Sequence, residues 1–307
     1  MGGFIPPSPI DPSFTPTTSI VKLPSTASID EIISILDRDG GLIITSLLTP
    51  SEISQIATDT LPYTGSNATP HSGIAIIPQE TQLISGLVAK SPTMLSLCEH
   101  PILSALRARI LTDEGSIPME DIRKNWHIDP LLSLSVSFQI GYGAPRQRLH
   151  RDDGIHLVDH SLPYELEKVS QFACLVAGVE TTRENGATMF VPGSHRWDEK
   201  RRPRLDEIAF AEMAPGSALI FLAGAYHGGG HNSVPNSVRI VHGLFFCRGT
   251  LRTEENQFLA IPRSMVPKMS PVMHSLLGYK QPEAVLGLWE NGDPMRDLDG
   301  ALKAANW

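Results

Sequence analysis

The nine residues LSLSVSFQI, 132–140, restrict the fold of this chain more than any other segment. Leu132, Leu134, Val136, Phe138 and Ile140 fall on one side of an extended backbone, and Ser133, Ser135, Ser137 and Gln139 fall on the other. Successive side chains of a strand point to opposite faces, so this alternation predicts a β-strand. SQFACLVAGVE, GATMFVPGSH, SALIFLAGAYH and SVRIVHGLFFCRG follow, each strand-like and separated from the next by Gly, Pro and Asn. Upstream the pattern is helical. In SIDEIISILDRDGG, Ser28 and Glu31 predict a capping box, Ile29, Ile32, Ile33 and Leu36 recur at helical spacing, and Gly40 supplies the stop. GLIIT reads as a strand, and TPSEISQIA as a second capped helix with Pro50 in its first turn. A third helix is predicted through SPTMLSLCEHPILSALRARIL. Residues 1–25, rich in Pro, Ser and Thr, are expected to form an extended arm rather than a packed element. Helices first and many strands afterwards predict an α+β fold. Its core would be a double-stranded β-helix (a cupin-like, two-sheet jelly roll) flanked by N-terminal helices, in a single domain over residues 1–307.

Composition removes several classes of function. A net charge of −8 lacks the basic footprint of a nucleic-acid partner. No apolar run approaches the ~18 residues needed to span a bilayer, so no membrane is expected as a partner. MGGFIPPSPIDPSF has neither the basic start nor the apolar core of a secretory signal, and Pro6 stands where a myristoylation signal requires Ser or Thr. Cys98, Cys174 and Cys247 are sparse and odd in number, with no CxxC pair, which fits a reduced compartment. A cytoplasmic location is expected.

RQRLHRDDGIHLVDH, 146–160, packs three histidines and three aspartates into fifteen positions. His150 and Asp152 are two apart, so in extended chain both reach one point while Arg151 turns away. An imidazole and a carboxylate from one segment, completed by a distant histidine, form the facial triad of non-haem iron(II) oxygenases, which leaves coordination positions open for chemistry. A histidine ends the apolar run of FLAGAYHGGGHNSVPNSVR, before three glycines that permit a tight turn and close backbone approach. By position alone His227 and His231 both qualify as the third ligand. A hairpin would return Arg239, twelve residues beyond His227, to the metal's side, where a guanidinium can grip a carboxylate through two parallel hydrogen bonds.

QRLHRDD, NGATMFVPGSH, YHGGGHN and SVR, in that order, resemble the phytanoyl-CoA hydroxylase-like (PhyH) family of iron(II)/2-oxoglutarate-dependent dioxygenases. Within it the likeness is to the fungal branch that tailors meroterpenoids and alkaloids. It extends from about residue 30 to 295 and takes in GLVAKSP (86–92) and GYKQPEAVLGLWENGDP (278–294). The resemblance implies that His150, Asp152 and His227 hold Fe(II) and that Arg239 binds the distal carboxylate of 2-oxoglutarate. It further implies that Thr188 and Gln147 hydrogen-bond this co-substrate. O2 would be consumed, ascorbate would serve as reductant in vitro, and an unactivated C–H bond would be oxidised. The outcome would be hydroxylation, desaturation, epoxidation or rearrangement of a lipophilic secondary metabolite such as a terpenoid or meroterpenoid. Fungal relatives are often homodimers whose C-terminal regions help close the partner's pocket, and VMHSLLGYKQPEAVLGLW is apolar enough either for that or for packing on its own chain.

One departure stands out. Relatives often carry an arginine before the GLVAKSP-like segment, where this chain has Gln82 or Leu83. The substrate pocket is expected to be apolar and bounded by the 60–80 loop, the 153–169 segment and the C-terminal region. Asp153, His156, Asp159 and His160 are expected at its entrance, His195 in a structural turn, and His242 inside a strand. The alternative function is a metal-dependent isomerase or hydrolase without redox chemistry on the same scaffold.

Overall fold

The computed structural model describes residues 5–65, 76–283 and 285–296. The arm ends in a short strand, β1 (Lys22–Pro24), which pairs in parallel with β2 (Gly41–Thr45). Between them lies α1 (Ile29–Asp39), capped by the Ser28 hydroxyl at the Glu31 N–H and stopped at Gly40, whose φ of 76° is left-handed. α2 (Pro50–Thr60) carries a complete capping box between Thr49 and Glu52.

Beyond β3 (Thr81–Ser85), the expected third helix is broken. It forms as α3 (Leu87–Lys90), α4 (Pro92–Leu97) and α5 (Pro101–Leu106), followed by a π-helical turn over Arg107–Leu111. The physical reason is Pro101, which has no N–H for an internal helical bond and restricts the residue before it, so the chain restarts there with His100 as cap. A hairpin that no strict alternation in the sequence signals follows, β4 (Asp113–Met119) with β5 (Ile122–Ile128).

β6 (Leu131–Gly141) contains the alternating segment. It is followed by β7 (Gln171–Ala177), β8 (Met189–Phe190), β9 (Ala209–Phe210), β10 (Ala218–Leu222), β11 (His227–Gly228) and β12 (Val238–Cys247). The short α6 (Gln257–Ala260) and α7 (Pro271–Leu276) close the described chain. The major sheet has the order β1-β2-β10-β7-β12-β6-β3, and a minor sheet has the order β11-β8-β9. These two sheets face each other: Phe190 of β8 meets Phe221 of β10 with ring centroids 6.2 Å apart.

Both faces of the major sheet are apolar. Leu42, Ile44, Phe172, Cys174, Ile220, Leu244 and Phe246 pack outward against the helices, while Ile43, Ala173, Leu175, Leu219, Phe221, Val241 and Phe245 point toward the minor sheet. In β6 the alternation holds from Leu134 to Ile140, but a register shift against β12 at Phe245/Phe246 moves Leu132 into the helix-side core. The serine face is buried rather than wet. Ser133, Ser135 and Ser137 are inaccessible, and the first two are bonded to Glu254 and Glu255.

The arm is more ordered than its composition suggests. Arg183 donates to the Asp11 and Phe14 carbonyls, Arg146 to Ser8 and Arg148 to Ile5, and Ile20 is buried. Backbone carbonyls of a Pro-rich segment, which has few N–H groups of its own, are thereby satisfied by arginines of the body. The start of the apolar C-terminal segment packs on its own chain, with Met273, Leu276, Leu277 and Tyr279 in the helix-side core. Val285, Leu286, Leu288 and Trp289 remain exposed. No described helix is long and apolar enough to cross a membrane.

Candidate active site

His150, Asp152 and His227 converge, each offering one ligand atom within 4.8 Å of the others. Backbone pairing brings them together. His150 N–H donates to the His227 carbonyl at 2.9 Å and His227 N–H returns the bond at 3.0 Å, while Asp152 N–H donates to Ala223 at 2.9 Å. Asp152 lies 3.4 Å from His150 Nε2 through one oxygen and 3.3 Å from His227 Nε2 through the other. Each histidine sets its Nδ1 against a backbone carbonyl, His150 on Arg148 at 2.8 Å and His227 on Ala225 at 3.1 Å. A ring that donates from Nδ1 carries its lone pair on Nε2, so both imidazoles present that atom to the same point. Burial works against the Asp152 carboxylate, yet attraction to His227 and hydrogen bonds with both histidines hold it well below the usual carboxylate range. Burial also works against a charged His227, and Asp152 outweighs it, so that ring is pushed up. Two nitrogens and a carboxylate held this close attract either a proton or a metal cation.

His231 is excluded from this group. It points its Nδ1 to the Ala144 carbonyl at 2.8 Å. Of the three glycines after His227, Gly229 and Gly230 line the cavity described below. A Cβ on Gly230 would fall 2.6 Å from the Ala187 carbonyl oxygen, so glycine here lets two backbones touch.

The three groups open into a cavity of about 440 Å³ that also holds Gln147, Thr188 and Arg239. Arg239 is not returned by a hairpin with the His227 segment. β11 pairs with β8, whereas β12 pairs with β6 and β7, so the guanidinium reaches the cavity from the opposite sheet. It is 4% exposed, its Nε has no partner among the described residues, and its Nη1 only approaches Thr188 Oγ1 at 3.4 Å. Burial pushes its pKa down to about 10, which leaves it charged at neutral pH. A buried cation with idle donors is costly unless an anion meets it, so this wall can accept an anion. Gln147 accepts from the Gly229 N–H at 2.6 Å and donates to the Ile76 carbonyl at 3.1 Å, which leaves one amide N–H unspent.

The walls are apolar, with Ile76, Ile77, Leu83, Leu134, Phe138, Val241 and Phe245 among them. Of the two residues at the family arginine's place, Leu83 faces the cavity and Gln82 does not. The 60–80 loop contributes Ile76, Ile77 and Pro78, and its residues 66–75 lie outside the described residues. The 153–169 segment, expected at the pocket, is elsewhere: Asp153, Asp159 and His160 line a separate cleft. There His160 bonds Asp153 at 3.1 Å, and His156 meets the Arg252 carbonyl. His195 contacts the Asp37 carbonyl behind α1, and His242 is buried in β12, both as structural histidines. Glu254 and Glu255 also line the cavity, and sequence reasoning missed them. Their only signal was an acidic pair five residues beyond the strand-like run SVRIVHGLFFCRG, in RTEEN.

The sequence profile of phytanoyl-CoA dioxygenase (PhyH) matches residues 36–240. The chain is 50% identical over 308 residues to "Dioxygenase swnH1" of Metarhizium robertsii, covering 100% of both chains. It is 48% identical to "Dioxygenase swnH1" of Arthroderma benhamiae over 98% of each. Among solved structures it resembles HygX from Streptomyces hygroscopicus, determined with nickel and 2-oxoglutarate bound, at a TM-score of 0.54 and 15% identity over 74% of this chain and 90% of that one. The last likeness is one of fold, and it agrees with a jelly-roll core. The sequence relatives extend over the whole chain and are dioxygenases by name, and the matched profile spans both ligand segments. This chain therefore belongs to the phytanoyl-CoA dioxygenase (PhyH) family.

Proposed function

We propose that His150, Asp152 and His227 bind Fe(II), that Arg239 anchors the distal carboxylate of 2-oxoglutarate, and that Thr188 and Gln147 hydrogen-bond the same co-substrate. One observation carries this reading: a two-histidine, one-carboxylate cluster and a buried guanidinium with an idle Nε share one cavity. The donor set suits ferrous iron with open positions, and the orphaned guanidinium suits a dianionic keto acid. When bound, the metal and its keto acid supply the oxidising chemistry, in which O2 and 2-oxoglutarate are consumed, succinate and CO2 are released, and an unactivated C–H bond is oxidised.

The chain's own residues set the conditions. Backbone carbonyls of Arg148 and Ala225 take the Nδ1 protons and fix both rings, so that each neutral imidazole turns its Nε2 lone pair toward the metal position. Leu134, Phe138, Val241 and Phe245 exclude water and favour a lipophilic secondary metabolite, positioned so that one carbon faces the metal. The exposed Val285, Leu286, Leu288 and Trp289 support a homodimer in which the C-terminal region is covered by the partner.

The test is metal content after anaerobic reconstitution with ferrous salt. His227→Ala should lose iron, while His231→Ala should retain it and still form succinate when 2-oxoglutarate is added. Retention by the first variant together with loss by the second would overturn the ligand assignment.

A further inference from the structure

Ligands contributed by two segments meet only if the segments keep their register, because a slip of one residue turns a side chain to the opposite face. The pairing that joins the two ligand segments here is short. His150 and His227 form an isolated antiparallel bridge and exchange two backbone hydrogen bonds. On one side of it Asp152 has already left for the Ala223 carbonyl, and on the other Gln147 donates to Gly229, one residue out of step. No regular ladder therefore extends from the bridge to hold it.

Next along the bridge, Arg151 and Tyr226 oppose each other with their side chains on its reverse side. The two imidazoles lie with ring centroids 4.6 Å apart on the metal side, and the Arg151 guanidinium lies 4.5 Å from the centre of the Tyr226 ring behind them. Its Nη2 donates to the carbonyls of Ser194 at 2.9 Å and Trp197 at 2.7 Å. The buried Ser194 hydroxyl accepts from the Tyr226 N–H at 2.7 Å and donates to the Val191 carbonyl at 2.7 Å. Trp197 flanks Tyr226, with ring centroids 6.3 Å apart. One guanidinium thus ties together the His150–Asp152 segment, the chain leading into His227 and the turn at 194–197. Arg151 does not line the cavity, so it has no direct access to what binds there.

We propose that Arg151 is a positioning residue: stacked on Tyr226 and bonded to both carbonyls, it holds His150 in register with His227, so that the ligand set is formed before a metal binds. The inference rests on the ligand assignment above and adds to it the residue that stands between two of the ligands. A planar guanidinium can lie flat on a ring and direct an edge at two carbonyls at once. The ammonium of a lysine keeps the charge over the ring but is a point cation without that fixed plane.

The experiment titrates metal-free protein with Co(II), followed by its visible absorption, and measures hydrogen exchange in peptides covering 146–152 and 223–229 before metal is added. Arg151→Met keeps an unbranched apolar stem and Tyr226→Leu keeps apolar bulk; each should weaken Co(II) binding about 10- to 100-fold, as expected for groups that orient a metal's ligands. Each should also speed exchange in those two peptides and leave β6 and β12 as protected as in the wild type. The double variant should bind no more weakly than the worse single one, because both changes break one contact. Tyr226→Phe, which restores the ring face, should recover the affinity lost in Tyr226→Leu. Arg151→Lys should fall between wild type and Arg151→Met, and it carries the test if Arg151→Met does not fold. Unchanged Co(II) affinity, or losses that add in the double variant, would overturn the proposal. So would a rise in exchange spread evenly over the chain, which would make Arg151 a general stabilising residue. A wild type that binds no Co(II) would overturn the ligand assignment itself, an outcome distinct from a failure at Arg151.

Discussion

On its outer face the major sheet packs Leu42, Ile44, Phe172, Leu244 and Phe246 against α1, α2, α5 and α7. On its inner face the minor sheet covers β2, β10 and the near part of β7, but at β6 and β12 Leu134, Phe138, Val241 and Phe245 border a cavity. The same residue types occupy both faces. The minor sheet is too small to reach across, since β8, β9 and β11 are two residues each, and the space left over is where the ligand groups converge. Apolar side chains on the outer face therefore serve stability, and those on the inner face serve as walls.

Substitutions on either side can break this contrast. Phe172→Ala on the outer face, where its ring lies 5.4 Å from that of Phe246, should cost about 3–5 kcal/mol of unfolding free energy in urea denaturation. A loss below about 1 kcal/mol would show that the outer face is not tightly packed. Arg239→Ala should weaken 2-oxoglutarate binding by about 2–5 kcal/mol, roughly 30-fold to several thousand-fold, without lowering the melting temperature, because an unpaired buried guanidinium does not stabilise the fold. A cooperative loss of stability with unchanged co-substrate affinity would make Arg239 a packing residue instead.

Acid sharpens the contrast further. Burial pushes His195 and His242 down to about 4, and neither lines the cavity. Their pKa values rise to about 6.5 on unfolding, so the unfolded chain takes up protons that the folded chain refuses. Stability should thus be full above about pH 6.5 and fall toward pH 4, by about 1.4 kcal/mol per pH unit for each histidine. Denaturation curves at a series of pH values measure this, and a flat profile would mean that both rings find partners when charged. The smallest effect belongs to Phe138→Ala on the inner wall, which already borders space and should cost less than about 1 kcal/mol while enlarging the range of substrates accepted.

Much of the fold was legible in the sequence, for local reasons. The Ser28 and Thr49 caps, the Gly40 stop and the 132–140 alternation are each decided by residues within one or two turns of one another. The break at Pro101 was equally local and could have been read from proline's missing N–H. The β4–β5 hairpin and the pairing of β1 were hidden, because edge strands without strict alternation are stabilised by their partners. At the site, His150 and Asp152 were marked by their spacing, whereas the choice of His227 over His231 needed the family pattern, and Arg239 lines the same cavity without the hairpin expected to bring it there.

The sequence by itself determined which groups this protein owns: a His-x-Asp pair in one short segment, a histidine at the end of an apolar run, an arginine on the last long strand and a helical N-terminal half. Only the tertiary structure decided that Arg239 meets them from the opposite sheet, that Leu83 rather than Gln82 faces inward, and that Glu254 and Glu255 share the chamber. Spacing along a strand fixes which way a side chain points, but which strands lie opposite one another depends on pairing between segments far apart in the chain, and no short stretch of residues encodes that.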